Sequence, residues 1–581
     1  MEEMKLFTET CNLWLSCILL LSGMNISAFS YDYSSTTKCL VEPQRAQYGG
    51  GMIVNPEFNH SLEGWTMFGQ GEIEERISKA GNSFIVVHNR THPLDSLSQK
   101  VLLEKGKLYS FSAWIQISEG RETVSVLFKT ADELVRGGKV IAEHGCWSLL
   151  KGGIVANFST HVEILFESKN TKVDIWVNNV SLQSFTKEQW KSHQDISISK
   201  VRKSKVRFKV IHANKTAMQG AIVSIKQLKS NFPFGCGMNY RILESTDYQN
   251  WFASRFKFTT FTNEMKWYST EKIQGQENYT VPDAMVKFSK QNGISIRGHN
   301  IFWDNPKQQP NWVKSLSSDD LRKAVEKRIN SVVSRYRGQL IAWDVVNENL
   351  HFRYFEDKLG ENASAVFYSK AYQLDPNTNM FMNEYGTING GDEKASPANY
   401  KKKIEEILQY PGNEKILLAI GLQGNFGSGQ PNLAYMRSSL DILGATGLPI
   451  WLTEVSVGVA KDTDQAQHLE DILREGYSHP AVKGIVMFAG PIAANFKEMP
   501  LADTNFKNTP AGDVVDKLLH EWKHCQAQEF TADDKGFVDV LLFHGDYNVT
   551  VQHTQANSST TLGFRVTKDT PQATIDILIH T

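Results

Sequence analysis

The chain has almost no net charge. Its 62 basic and 63 acidic residues leave −1 over 581 residues. Binding to nucleic acid or to an anionic membrane through an overall field needs a basic excess, so neither partner is expected. Beyond the N-terminus there is no apolar run long enough to span a bilayer. Cysteines are few, six in all. Cys11 and Cys17 lie in the N-terminal apolar segment, and Cys39, Cys146, Cys236 and Cys525 have no zinc-ligand spacing. No Gly-rich phosphate loop follows the first strand of the α/β region, which counts against a doubly wound nucleotide-binding sheet.

What is present is the composition of a globular protein, 41% hydrophobic and 22% charged. The length suits two to four domains. Aromatics are plentiful, at 11% with 13 Trp. Core packing accounts for most of them, and flat rings also suit the C–H faces of sugars. Lys5 precedes the apolar run Leu13–Leu21, with small residues at Ser27-Ala28, so residues 1–30 read as a secretory signal; an uncleaved anchor is the alternative, which the shortness of the run disfavours. Four cysteines beyond it fit secretion. So do sequons at Asn59, Asn89, Asn157, Asn179, Asn214, Asn278, Asn362, Asn548 and Asn557, the candidate glycosylation sites.

Residues 53–185 alternate in short runs, such as Phe84-Ile85-Val86-Val87 and Val162-Glu163-Ile164-Leu165-Phe166, between Gly, Asn and Ser turns. That is a β-sandwich pattern. Asn55-Pro56-Glu57-Phe58, Gly64-Trp65 and Val173–Val180 give it a layout that resembles carbohydrate-binding modules, most closely family 22. Trp65, Trp114, Trp147 and Trp176 are either sandwich core or sugar surface. Residues 186–231 read as a linker: a polar connector over 186–204, then bridging strands at Val206–Val210 and Ala221–Ile225. Over 232–525 apolar strands alternate with amphipathic helices. Strands are expected to start near Phe234, Phe258, Ile294, Leu340, Met380, Leu417, Pro449 and Gly484. A helix is expected after the cap Ser317-Ser318-Asp319-Asp320, with Leu321, Val325, Ile329, Val332, Val333 and Tyr336 on its apolar face. Eight strands alternating with helices fit an α/β fold of the (β/α)8 barrel type, with the doubly wound sheet as alternative. Residues 529–581 read as a small β appendage. A closed barrel brings its first and last elements together, so a Cys236–Cys525 disulfide is expected, which leaves Cys39 to pair with Cys146 in the sandwich.

The chemistry gathers at strand ends. Leu340-Ile341-Ala342-Trp343 leads into Asp344-Val345-Val346-Asn347-Glu348, and Pro449-Ile450-Trp451-Leu452 into Thr453-Glu454. Two glutamates delivered to one face of a barrel can act as proton donor and nucleophile on a glycosidic bond; acidic residues at strand ends also serve as helix caps or arginine partners. Other strand ends supply Thr262-Asn263-Glu264-Met265-Lys266-Trp267, Arg297-Gly298-His299 with Trp303, Asn383-Glu384-Tyr385, and Gln423-Gly424-Asn425. Amides, a cation, an imidazole and rings at one mouth suit a neutral polyol.

Asn-Glu-Met-Lys-Trp, Arg-Gly-His with a following Trp, Trp-Asp-Val-Val-Asn-Glu and Thr-Glu, in this order, resemble family 10 glycoside hydrolases, mostly retaining endo-1,4-β-xylanases. Pro510–Leu519 is similar to their plant secreted branch. The resemblance implies Glu348 as acid/base and Glu454 as nucleophile, with carboxyls roughly 5–5.5 Å apart. Asn347 would bind the sugar 2-hydroxyl. Asn263, Lys266, His299 and Trp303 would hold the non-reducing side, and Tyr385 and Gln423 the centre. Neither metal nor organic cofactor is implied. Four positions depart from the family pattern: Thr262 for a glutamate, Asp304 for a histidine, Phe488 for a tryptophan that covers the central sugars, and Asn425 for a histidine that supports the nucleophile. Asn425 and Phe488 still belong to the expected substrate-binding set, and Asn425 is expected to donate to Glu454. The expectation is a secreted, extracellular, cell-wall xylan hydrolase, a monomer bound to neither nucleic acid nor membrane. A xylan-binding wall protein with weak or lost turnover, and a transglycosylase on the same substrate, are the alternatives.

Overall fold

A computed structural model describes residues 30–579 apart from 391, 459–461, 523–526, 554–555 and 570–573. Residues 1–29 of the expected signal, and Cys525, lie outside the described residues. No helix among the described residues is long and apolar enough to cross a membrane.

The N-terminal strands form two five-stranded sheets. In one, Thr66–Phe68, Ser96–Leu103, Thr160–Glu167, Arg121–Lys129 and Leu134–Glu143 lie side by side; in the other, Glu72–Ile77, Ser83–His88, Ile175–Phe185, Leu108–Ile117 and Ser148–Val155. Alternate residues such as Phe111, Ile115, Phe128 and Phe166 fill the space between them. The tryptophans serve packing. Trp65 lies in that core, and Trp114 and Trp147 pack with Phe84 and Val86 in a separate buried cluster. Trp176 stacks on Phe84, half-buried. Cys39 and Cys146 are joined by a disulfide, as expected.

The segment read as a polar connector is a helix, Lys187–Arg202, opened by a reciprocal capping box of Thr186 and Gln189. Its buried face is mostly polar, which hides the helical period from a search for apolar spacing. Trp190 Nε1 and Gln194 Nε2 both donate to Glu475 Oε2 at 2.8 Å, and Arg437 Nε donates to Glu475 Oε1 at 2.6 Å. The strands on either side of the barrel meet across the chain. Lys203–His212 lies between Phe537–Phe543 and Thr574–Ile579. Ile222–Ser230 lies between Gln528–Thr531 and Gly545–His553. A shared core of Phe208, Val223, Val540 and Val549 joins the two sheets, so bridging strands and C-terminal strands form one packed body rather than a bridge and a separate appendage.

The barrel strands are β1 (Phe234–Met238), β2 (Phe258–Phe261), β3 (Ser295–Gly298), β4 (Ala342–Asn347), β5 (Asn379–Glu384), β6 (Leu418–Leu422), β7 (Ile450–Val457) and β8 (Val482–Met487). All neighbours are parallel, and β8 pairs with β1 to close the ring. Each strand starts within two residues of its expected position. The helix expected after Ser317 spans Ser318–Tyr336, with the Ser317 side chain accepting from Asp320 N and all six expected apolar residues buried. Packing inside and outside a parallel ring explains why the strands read as continuous apolar runs.

The Cys236–Cys525 disulfide is not formed at Cys236. That residue is a free thiol in the middle of β1, wholly buried, and its Sγ donates to Ala489 O at 2.9 Å. Its side chain turns towards the end of β8, where burial pushes the thiol up to about 12. Sandwich, barrel and mixed sheets belong to one unit, Ser34–Thr581. The sandwich is tied to the barrel by a fully buried ion pair, Lys151 Nζ to Asp441 Oδ2 at 2.7 Å.

Candidate active site

The carboxyl ends of the barrel strands bring the expected site residues into one cleft. Glu348 follows β4 directly, with φ of 60°. A left-handed conformation is uncommon for a glutamate and costs about 1–3 kcal/mol, so the surroundings must impose it. They do. Glu348 N donates to Asn383 O at 2.9 Å, and the β4–β5 ladder is irregular between Asp344 and Val346. The side chain is 8% exposed. Trp303 Nε1 donates to its Oε2 at 2.6 Å and Gln423 Nε2 to its Oε1 at 3.2 Å. Burial pushes the carboxyl up to about 7 against the pull of these two donors, helped by the nearby charges of Glu384 and Glu454.

Glu454 lies within β7 and is also 8% exposed. Its Oε1 accepts from Asn383 Nδ2 at 2.9 Å and stands 4.0 Å from His299 Nε2. Asn383 also donates to Asn347 Oδ1 at 2.9 Å and accepts from the Thr453 hydroxyl at its own Oδ1. One amide therefore sets both Glu454 and Asn347. His299 sits 2.7 Å from Asp344 Oδ2 through Nδ1, and Arg297 pairs with the other Asp344 oxygen. Burial and the Lys266 ammonium pull the imidazole down to about 3. It stands neutral, with Nδ1–H turned to Asp344 and Nε2 left as an acceptor.

The remaining expected residues surround this pair. Lys266 Nζ lies 4.3 Å from the Trp303 ring centre and 3.4 Å from Asn263 Oδ1, which also accepts from Tyr268 OH at 2.6 Å. Tyr385 stacks on His351 with ring centres 3.7 Å apart. His351 in turn bonds Glu384 Oε1 at 2.6 Å and Asp392 Oδ2 at 2.7 Å. Thr262 and Phe488 flank Gly237 of β1, each 3.5–3.6 Å from where a Cβ would stand. Asp304 is buried, its carboxyl accepting from Asn349 Nδ2 at 2.9 Å and from Phe355 N at 3.1 Å.

Asn425 is the correction. Its side chain does not reach Glu454. It donates through Nδ2 to Gln423 Oε1 at 3.0 Å and accepts from the Ser456 hydroxyl at 2.8 Å. The cause is local. Asn425–Phe426 pairs with Ser456–Val457, beyond Glu454 along β7, and a short amide stays beside Ser456. Asn425 therefore acts on Glu348, through Gln423. Asp344, Asn383 and His351 were not among the expected site residues. The strand-end motifs carried the first two and His351 follows Glu348 closely, but spacing alone does not say which side chains face each other.

Residues 224–490 match glycosyl hydrolase family 10, and residues 50–172 match a carbohydrate binding domain. Three Arabidopsis thaliana proteins align along nearly the whole chain. One named endo-1,4-beta-xylanase 5-like is 51% identical over 560 residues, with 95% of each chain covered. The chain belongs to glycosyl hydrolase family 10. The other two relatives, named endo-1,4-beta-xylanase 5 and endo-1,4-beta-xylanase 4, are 48% identical with 96% of each chain covered, and 44% identical with 96% of this chain and 95% of the relative covered. Family 10 membership agrees with the closed parallel barrel and with a cleft built from strand ends.

Proposed function

We propose that this chain is a retaining endo-1,4-β-xylanase with Glu348 as acid/base and Glu454 as nucleophile. The observation that carries the reading is the asymmetry of the two carboxyls. Burial pushes the Glu348 carboxyl up to about 7, as a proton donor needs, while the Asn383 amide fixes the Glu454 carboxyl in place at 2.9 Å, as an attacking group needs. The names of the full-length relatives supply the substrate.

Glu454 attacks the anomeric carbon as the glycosidic C–O bond breaks, and Glu348 gives its proton to the departing oxygen. The product of this step is a glycosyl ester on Glu454. Glu348, now a carboxylate, takes a proton from water, whose oxygen displaces Glu454. Asn347, fixed at Oδ1 by Asn383, offers its NH2 to the sugar 2-hydroxyl, a bond that tightens in the oxocarbenium-like transition state. Asn263, Lys266, His299 and Trp303 hold sugars on the non-reducing side; Tyr385, Gln423 and Phe488 line the centre. The domain division runs as a sandwich over 53–185, the barrel over 232–525, and a mixed body built from its flanking strands. Xylan in an extracellular wall is the setting, with the sandwich as a second contact to the polysaccharide. Incubation of the protein with linear xylan and a labelled acceptor sugar tests the reading. Xylo-oligosaccharides released first as the β-anomer are expected. No release, with binding retained, supports a wall-binding protein; label in the products supports transfer.

A further inference from the structure

A second cavity of about 970 Å³ opens beside the cleft, at the carboxyl ends of β1 and β2. Asn263 and Thr262 line it. Asn263 is bonded to Lys266, whose ammonium rests on the Trp303 ring, and Trp303 holds Glu348. The cavity thus shares Asn263 with the proposed sugar path on the non-reducing side.

Its charges are unequal in use. Both acids that line it have partners, although Glu277 Oε1 itself makes no hydrogen bond among the described residues. Glu264 Oε1 accepts from Tyr240 N at 2.8 Å and Oε2 from Asn263 N at 3.0 Å. Glu277 accepts from the Ser331 hydroxyl at 2.8 Å and faces Lys327 at 3.8 Å. The two cations, Arg241 and Lys272, have no carboxylate partner among the described residues. Arg241 stands over the ring of Tyr240, which is 44% exposed. The wall between cavity and cleft carries Thr262, where a glutamate would add a negative charge and fill space.

We propose that this cavity receives an anionic branch of the polysaccharide, a uronate carried on the sugar next to Asn263, with Arg241 and Lys272 as its carboxylate partners, Tyr240 as its stacking face, and Thr262 as the residue that admits it. The proposal rests on the xylanase reading above. Guanidinium and ammonium favour a carboxylate over a neutral pentose, since the bonds are charge-assisted. A glutamate in place of Thr262 would repel the uronate and narrow its entry.

The test uses three xylo-oligosaccharides of equal main-chain length: unbranched, with one glucuronate branch, and with one arabinose branch. The wild-type protein is expected to cleave the glucuronate-branched chain with kcat/KM about tenfold above the arabinose-branched one, the scale of one hydrogen bond to a charged group. This preference shrinks as salt rises. Arg241→Gln/Lys272→Gln, both away from the carboxyl pair, lowers kcat/KM on the glucuronate-branched chain about tenfold and leaves the unbranched one unchanged. Thr262→Glu lowers the glucuronate-branched rate more than the unbranched rate. An equal loss on all three substrates in the double variant, or equal wild-type rates on the two branched chains at low salt, overturns the proposal. If the unbranched chain is not cleaved, the xylanase reading fails, and calorimetric titration with the same three sugars decides the cavity. Weaker binding of the glucuronate-branched chain alone in the double variant sustains it, and unchanged binding overturns it.

Discussion

Replacing Trp303 by Phe isolates one hydrogen bond to the proposed acid. The indole Nε1 donates to Glu348 Oε2 at 2.6 Å, a bond that stabilises the carboxylate over the acid. Phe keeps a ring under Lys266 and removes the donor. A hydrogen bond to a charged group is worth about 1.5–3 kcal/mol. One pKa unit is about 1.4 kcal/mol, so the loss alone raises the carboxyl by about 1–2 units. Water entering the gap recovers part of this, and Gln423 still donates at 3.2 Å, which leaves about one unit. Glu348 stands at about 7 in the intact site. The acid must be protonated to act, so the basic limb of kcat/KM is expected to move from near pH 7 to near pH 8 in Trp303→Phe. The assay is a pH profile on a linear xylo-oligosaccharide. A dinitrophenyl xyloside serves as control, because its leaving group departs without a proton and its basic limb does not report Glu348. A limb that stays, or moves to lower pH, refutes the claim that Trp303 holds the carboxylate.

Four further outcomes follow from the same geometry. Glu348→Gln removes a group whose folded pKa, about 7, exceeds its ordinary value of 4.5; the folded state binds the extra proton between those values, stability falls as pH rises through that window, and the variant is expected to be roughly 3 kcal/mol more stable than wild type at pH 8 but not at pH 4, by urea unfolding. Asn425→Leu frees the Gln423 amide and is expected to raise the basic limb by less than Trp303→Phe while leaving the acidic limb in place; a shifted acidic limb would show contact with Glu454 instead. Lys151→Met takes the ammonium from the buried Asp441 carboxylate in the sandwich–barrel interface, leaving His479 Nε2 at 3.0 Å beside it, and is expected to cost about 3 kcal/mol in urea unfolding, partly restored by Asp441→Leu in the same chain. Asn278 is both a sequon and part of the lining of the second cavity; in material from a glycosylating host that carries a glycan there, its enzymatic removal is expected to raise the rate on glucuronate-branched substrate more than on unbranched substrate.

The barrel was legible because its strands are buried on both faces and end in polar residues; Ala342–Asn347 followed by Glu348 shows both features in one stretch. The helix Ser318–Tyr336 was legible because its cap and its apolar period agree. The helix Lys187–Arg202 was not, because its buried face is held by hydrogen bonds to Glu475 and to main-chain carbonyls rather than by apolar contact. The pairing of Lys203–His212 with Phe537–Phe543 was not legible either. Each strand shows its own alternation, but a partner on the far side of the barrel leaves no local trace. In the site the same limit applies at a smaller scale. The motifs put His299, Asn347, Glu348, Gln423 and Glu454 at one mouth, whereas the direction of Asn425 depends on a two-residue strand beside Ser456.

That direction changes what the substitution of histidine by asparagine means. A histidine beside the nucleophile can carry a charge and adjust Glu454 with pH. Here Glu454 accepts from Asn383, which cannot be protonated in the working range, and stands 4.0 Å from a histidine that burial keeps neutral. Neither Asn383 nor His299 changes charge near neutrality, while Glu348 titrates at about 7 with Gln423 and Asn425 behind it. Burial also pushes Asp344, bonded to His299 behind Glu454, up to about 7, so groups on both sides of the scissile bond respond near neutrality. Ser456, Asn425 and Gln423 form a chain of neutral donors ending on Glu348, and each link favours the carboxylate, so the chain opposes burial without overcoming it. Gln423 and the Trp303 indole hold Glu348 directly, Asn425 acts only behind Gln423, and the left-handed backbone at Glu348 keeps its carboxyl within reach of those two donors.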